Sequence, residues 1–180
     1  RGAEGRLGYG NGNNIGDGAN EMGDNLPAVD LGTGRTATAI SAGENHICAI
    51  LDNGSVKCWG YNNYGQLGYG NTDHIGDGAN EMGDNLPAVD LGTGRTATAI
   101  SAGFNHTCAI LDNSSVKCWG DGGEGRLGYG NIVGLGDDFG PSGEMGDNLP
   151  AVDLGTSRTA TSIAVGGDFT CAILDDSSFK

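Results

Sequence analysis

The sequence predicts an all-β chain of about three four-stranded antiparallel blades, an incomplete propeller array. Three observations carry this: a unit of about 60 residues occurs three times, each unit holds a short hairpin pattern beside two further β-compatible runs, and no helical period appears. The string LGYGN begins at Leu7, Leu67 and Leu127, and CAILD begins at Cys48, Cys108 and Cys171, so the spacings are 60 and 60, then 60 and 63. The three extra residues fall in the third copy, around 134–143. The units are therefore 1–60, 61–120 and 121–180, with both ends cut inside a blade and further blades expected in the missing parts of the chain.

The hairpin is the clearest element. Cys48-Ala-Ile-Leu runs into Asp52-Asn53-Gly54, and Ser55-Val-Lys-Cys-Trp59 runs out of it. A three-residue loop ending in Gly suits a type I turn closed by a left-handed residue. In that register Leu51 faces Ser55 and Cys48 faces Cys58. Alternation puts Cys48, Ile50, Val56 and Cys58 on one face and Ile47, Ala49, Leu51 and Trp59 on the other. Both faces are apolar, so the hairpin must be sandwiched between neighbours. Upstream, Thr36-Ala-Thr-Ala-Ile-Ser-Ala42 is a third strand. Pro27-Ala-Val-Asp-Leu31 is a short fourth, its Pro suited to the start of an edge strand. Gly interrupts every window long enough for a helix.

Composition narrows the partners. Gly 36 plus Pro 4 is 40 of 180 residues, or 22%, below the roughly 25–30% at which aperiodic Gly/Pro-rich chains are read as disordered. No apolar run approaches the ~20 residues that cross a bilayer, so no membrane span is expected. Nine basic against 23 acidic residues leave a net charge of −14, which opposes contact with phosphates and excludes nucleic acid as a direct ligand.

Written out, the repeat is Gly43-x-x-His46-x-x-Ala49-x-Leu51-x-x-Gly54-x-Val56-x-x-Trp59-Gly60, followed by Asn62-x-x-Gly65-Gln66-Leu67-Gly68. This frame resembles the repeat of the regulator of chromosome condensation family, and the second copy keeps it from Gly103 to Gly128 with Ser114 at the turn Gly. The resemblance implies a β-propeller and, from the family's founding member, guanine-nucleotide exchange on a small GTPase. The units are longer than the family's usual blade because of the loop 11–25 and its counterparts.

Cys48 with Cys58, and Cys108 with Cys118, are C-x9-C pairs on directly opposed strand positions, close enough for one disulfide per blade. Reduced buried thiols are the other reading. Cys171 has no partner in the sequence. Oxidised pairs favour an extracellular or secretory compartment; the localisation is otherwise open. C-x9-C lacks the close spacing of zinc ligands. His46 and His106 recur but give way to Phe169, which marks packing or turn-bonding residues rather than catalysts. No nucleophile elbow, phosphate loop or zinc-protease motif occurs, so neither an enzyme activity nor a cofactor is expected.

The inserted loops repeat their carboxylates: Asp17, Glu21 and Asp24; then Asp77, Glu81 and Asp84; then Asp137, Asp138, Glu144 and Asp147. Their spacing matches no EF-hand, so solvated loops are expected rather than a Ca²⁺ site. The leading expectation for function is a non-catalytic interaction scaffold that meets a protein partner with a basic surface through these loops. The alternatives are nucleotide exchange and an extracellular adhesive or carbohydrate-binding propeller.

Overall fold

The computed structural model describes residues 2–138 and 143–180; most of the third loop's extra residues lie outside that range. Among the described residues there are eight strands: β1 Ala37–Ala42, β2 His46–Leu51, β3 Val56–Gly60, β4 Ala97–Ala102, β5 His106–Leu111, β6 Val116–Gly120, β7 Ala160–Val165 and β8 Thr170–Leu174. They form three antiparallel meanders, β1-β2-β3, β4-β5-β6 and β7-β8. The helical segments among the described residues are three-residue 3₁₀ turns.

The hairpin register is the one the sequence dictates: Cys48 opposes Cys58, and Ile50 opposes Val56. Its turn closes with Gly54 N–H on the Leu51 carbonyl at 2.9 Å and Leu51 N–H on the Ser55 carbonyl at 2.8 Å. Gly54 has φ +78°. Asn53 Oδ1 accepts from the Ser55 amide and hydroxyl at 3.1 and 2.7 Å, which ties the loop back on itself. The second and third units bend at Ser114 (φ 63°) and Ser177 (φ 66°) instead, so a side chain sits in the left-handed region there.

The blades depart from four strands. Each complete blade has three, and the free edge of its last strand is covered by separate partners. On β3, the Val56 carbonyl accepts from Val89 N–H at 2.8 Å, and Gly60 bridges Ile75. Between them, the Tyr69 hydroxyl accepts from Cys58 N–H at 3.0 Å and lies 3.1 Å from the Cys58 carbonyl, to which it donates. Tyr129 does the same for Cys118 on β6. The Pro-Ala-Val-Asp-Leu segment thus contributes one backbone bond per blade rather than a ladder. Its Pro has no N–H to give, and the Tyr hydroxyl already satisfies the central edge groups.

The faces of adjoining hairpins are buried against one another, and the other face of the first, with Ala49, Leu51 and Trp59, is covered by loop residues such as Leu86. Cys48, Ile50, Val56 and Cys58 of the first blade meet Ala109, Leu111 and Trp119 of the second. Cys108, Ile110, Val116 and Cys118 meet Ala172 and Leu174 of the third. Cys48 is joined to Cys58, and Cys108 to Cys118, by disulfides across Cα–Cα distances of 4.1 Å; Cys171 is free. The disulfides lie inside the seams between blades, where all four cysteines are at most 1% exposed.

Two measurements check this architecture. Peptide mapping without reduction should return Cys48–Cys58 and Cys108–Cys118 with Cys171 as a thiol; a Cys48–Cys108 link contradicts the register. Ser114→Gly should raise stability by roughly 0.5–1 kcal/mol, because glycine adopts the left-handed turn without the Cβ penalty. Gly54→Ser should lower it, since a Cβ there meets Thr96 Cβ at 2.7 Å. Equal unfolding midpoints for Ser114→Gly and the parent chain would contradict the strain assigned to that turn.

Candidate protein-interaction surface

The acidic loops leave each blade after its third strand and return past the next blade. Their carboxylates divide into two groups. The first holds the loops in shape. Glu21 Oε2 accepts from the Gly16 and Gly18 amides at 2.8 and 2.7 Å, Glu81 from Gly76 and Gly78 at 2.7 and 2.8 Å, and Glu144 from Gly136 at 2.8 Å. Each glutamate closes a small ring of backbone that a glycine-rich loop does not close unaided. The amides of Gly18 and Gly16 hold the Glu21 carboxyl below the usual carboxylate range, whereas burial pushes Glu144 above it.

Asp84 and Asp147 also work inside the fold. Asp84 accepts from the Thr33 amide at 2.8 Å and the Thr33 hydroxyl at 2.6 Å, and Asp147 binds Thr93 in the same way. The threonine hydroxyl, then its amide, holds each carboxyl below its usual range. Beside this clip, Lys57 is buried and donates to the Leu31 and Gly83 carbonyls at 2.9 and 2.7 Å, and Lys117 to Leu91 and Gly146 at 3.0 and 2.7 Å. Burial lowers both ammonium pKa values, while Asp84 with Asp30, and Asp147 with Asp90, pull the other way. Thr33 and Thr93 were not singled out by the sequence reading. Their signal is the recurring Leu-Gly-Thr-Gly-Arg string.

The second group faces solvent. Asp17, Asp77 and Asp137 occupy one position in the three units and are exposed, as are Asp24 and Asp138. Between successive loops lie two equivalent grooves of 410 and 400 Å³. Gly8-Tyr9-Gly10, Asp30, Glu81 and Met82 line the first; Gly68-Tyr69-Gly70, Asp90, Asp138, Glu144 and Met145 line the second. Asp30 with Glu81, and Asp90 with Asp138 and Glu144, are thus the acids that line these grooves beside a Met and a Tyr; Asp77 and Asp137 sit next in the chain to the lining residues Gly78 and Asp138, and Asp17 lies outside the lining. Among the described residues, no three His, Cys, Asp or Glu side chains gather as a metal-holding group.

His46 and His106 stand apart from this rim, in the seams. His46 Nε2 lies 2.8 Å from Thr107 Oγ1, and His106 Nε2 lies 3.0 Å from Thr170 Oγ1. Thr107 and Thr170 in turn donate to the Gln66 and Arg126 carbonyls at 2.9 Å. These histidines link blades, the packing role their exchange for Phe169 points to.

A stack of antiparallel meanders joined through shared apolar seams is a segment of a β-propeller. The chain belongs to the regulator of chromosome condensation (RCC1) repeat family: its repeat profiles match residues 37–66 and 97–126, and residues 53–110, together half of the chain. Among curated relatives, the ultraviolet-B receptor UVR8 of Arabidopsis thaliana is 33% identical over 95 residues, 52% of this chain and 20% of UVR8. The human E3 ubiquitin-protein ligase HERC2 is 35% identical over 101 residues, 56% of this chain and 2% of HERC2. Among solved structures, human WBSCR16 superposes with a TM-score of 0.53 at 19% identity, over 80% of this chain and 31% of that one. Yeast RCC1 (Prp20), solved bound to Kap60, superposes at 0.51 and 20%, over 76% and 30%. The chain therefore spans a fifth or less of these curated relatives and about a third of these solved propellers.

Burial lowers the pKa of His46 and of His106 to about 4, against an ordinary value of 6.5. Between these values the unfolded chain binds the extra protons, so stability is full above pH ~6.5 and falls as pH drops toward 4. For His46 the loss is of order 3 kcal/mol. Urea midpoints should hold steady from neutral pH upward and fall on acidification through that window; a flat profile contradicts the neutral buried imidazoles.

Proposed function

We propose that this chain is part of a non-catalytic propeller scaffold that binds a protein partner carrying a basic surface, through the repeated rim of acidic grooves. The observation that carries the reading is the division of the carboxylates. Five of the ten loop acids, Glu21, Glu81, Glu144, Asp84 and Asp147, are hydrogen-bonded to the chain's own backbone, while Asp17, Asp77 and Asp137 face solvent at one recurring position. The first set closes the loops on their own backbone, whereas the second, although Asp17 and Asp137 also touch Glu21 and Glu144, keeps its carboxylates at the exposed surface. Equivalent charges presented in series suit multivalent contact with an extended basic surface better than a single active site. Grooves floored by Tyr and Met add apolar area to that contact. Near-identical loops lack the asymmetry that favours nucleotide exchange. In this reading the cysteine pairs, once oxidised, support an extracellular or secretory compartment.

The test neutralises only the solvent-facing set. Asp17→Asn, Asp77→Asn and Asp137→Asn together should weaken binding to a lysine-rich protein probe several-fold, with the thermal midpoint unchanged. The same loss of charge at Glu44, Glu124 and Asp168 should matter less. Binding should also weaken as salt shortens the Debye length from ~10 Å at 0.1 M to ~3 Å at 1 M. Equal effects of the two triple variants would reduce the contact to net charge and defeat the rim as a site; accelerated nucleotide release from a small GTPase would favour exchange instead.

A further inference from the structure

The second unit departs from its neighbours in one short stretch in the middle of the chain. The first two inserted loops copy one another almost letter for letter, but the turn that leads into the second reads Tyr61-Asn-Asn-Tyr64-Gly-Gln66 and runs on to His74. At the positions of Tyr64, Gln66 and His74 the first unit has Glu4, Arg6 and Asn14, and the third has Glu124, Arg126 and Gly134. Tyr61 gives way to Asp121 in the third.

The turn does not need rings to form. Gly65 N–H closes on the Asn62 carbonyl at 3.1 Å, and Gly125 N–H closes on the Gly122 carbonyl at 3.1 Å without them. His74 Nδ1 accepts from Asn62 N–H at 3.0 Å, a task that Asn14 performs for Gly2 N–H at 3.0 Å. In the first and third units the turn's arginine is satisfied internally, Arg6 by Glu4, and Arg126 by Asp121 and Asp168 at 3.2 and 3.0 Å. The second unit has no arginine there. The buried, neutral Gln66 takes its place, accepting from Tyr64 N–H at 3.0 Å and donating to Asn105 Oδ1 at 3.4 Å.

What the second unit has instead is a set of rings held in position. Tyr61 N–H donates to the Asn45 carbonyl at 2.9 Å, and the Tyr61 hydroxyl accepts from Asn63 Nδ2 at 2.8 Å. The His74 ring lies against Tyr61, with centroids 5.0 Å apart and planes inclined by 32°. Tyr64 stands at 57° to Tyr61 with centroids 6.3 Å apart, and is 42% exposed.

Two of the solvent-facing aspartates flank these rings. His74 precedes Asp77 by three residues, and Ile75 between them is bridged to Gly60, the neighbour of Tyr61. On the other side Gly65, next to Tyr64, packs so closely on the third unit's loop that a Cβ there would stand 2.5 Å from the Asp137 nitrogen. The face of a tyrosine ring attracts cations, arginine more often than lysine. A guanidinium is planar and weakly hydrated, so it stacks on a ring while its N–H groups still reach a carboxylate.

We propose that Tyr61, Tyr64 and His74 anchor one arginine side chain of the protein partner, its guanidinium stacked on Tyr64 and its N–H groups turned to the flanking aspartates. Resting on the acidic rim as a surface for a basic partner, the anchor adds what the rim lacks. Repeated acids accept a basic chain equally well in registers shifted by one unit, whereas a single aromatic site favours one register over the others. Rings already fixed by Asn45, Asn62 and Asn63 lose little freedom when the arginine arrives.

Two peptides test this on the 180-residue chain in about 0.1 M salt: hexalysine, and the same peptide with one central lysine replaced by arginine. The arginine peptide should bind about two- to fivefold more tightly. Tyr64→Leu should abolish that preference while hexalysine binds as before, and Tyr64→Phe, which keeps the ring, should retain it. Circular dichroism should be the same for all three chains. Failure of both peptides to bind the parent chain defeats the acidic rim and the anchor with it. Equal binding of the two peptides to the parent chain, or an arginine preference that persists in Tyr64→Leu, overturns the anchor and leaves the rim standing.

Discussion

Every other feature depends on one constraint: a hairpin with two apolar faces cannot finish burying itself inside its own unit. Cys48 and Val56 point one way from the same pair of strands that sends Ala49 and Trp59 the other. A single sheet with one wet face accommodates only half of that. Stacking accommodates all of it, provided that neighbouring units present complementary faces. The seam between Cys48, Ile50, Val56, Cys58 and Ala109, Leu111, Trp119 is that solution. The disulfides lie within it, and the His46–Thr107 bond spans it.

With the seams set, the long loops have a separate task. A loop so rich in glycine loses much conformational entropy on ordering and has few side chains to pack. The carboxylates answer this by binding backbone amides, as Glu81 does with Gly76 and Gly78 and Asp84 does with Thr33. Much of the acidity that looks like a binding surface in the sequence is therefore internal scaffolding. The solvent-facing remainder, at Asp17, Asp77 and Asp137, is ordered by it.

The repeat period, the strand register around Gly54, the two faces of the hairpin and the Cys48–Cys58 juxtaposition were legible in the sequence, because each follows from local spacing. The fourth strand was not. Pro87 to Leu91 reads as an edge strand by composition, but Tyr69, 11 residues after Cys58, reaches back to take the groups that such a strand would pair with. The Tyr recurs in every LGYGN string, but its spacing does not show which backbone groups the hydroxyl meets. The split between structural and exposed carboxylates was hidden for the same reason: Asp17 and Glu21 are alike in letters, and only the path of the backbone shows which carboxylate meets an amide.

Lys57 and Lys117 are two of three lysines in the sequence, and both are buried with their ammonium groups bonded to carbonyl oxygens. Amine chemistry, whether acylation at the bench or conjugation of a degradation tag in a cell, meets them only after a unit has opened. Reactivity at these two lysines therefore reads out foldedness, whereas the exposed Lys180 reports surface. A modified Lys57 or Lys117 would also be slow to return, because its carbonyl partners have no room for the added group and no charge to hold it.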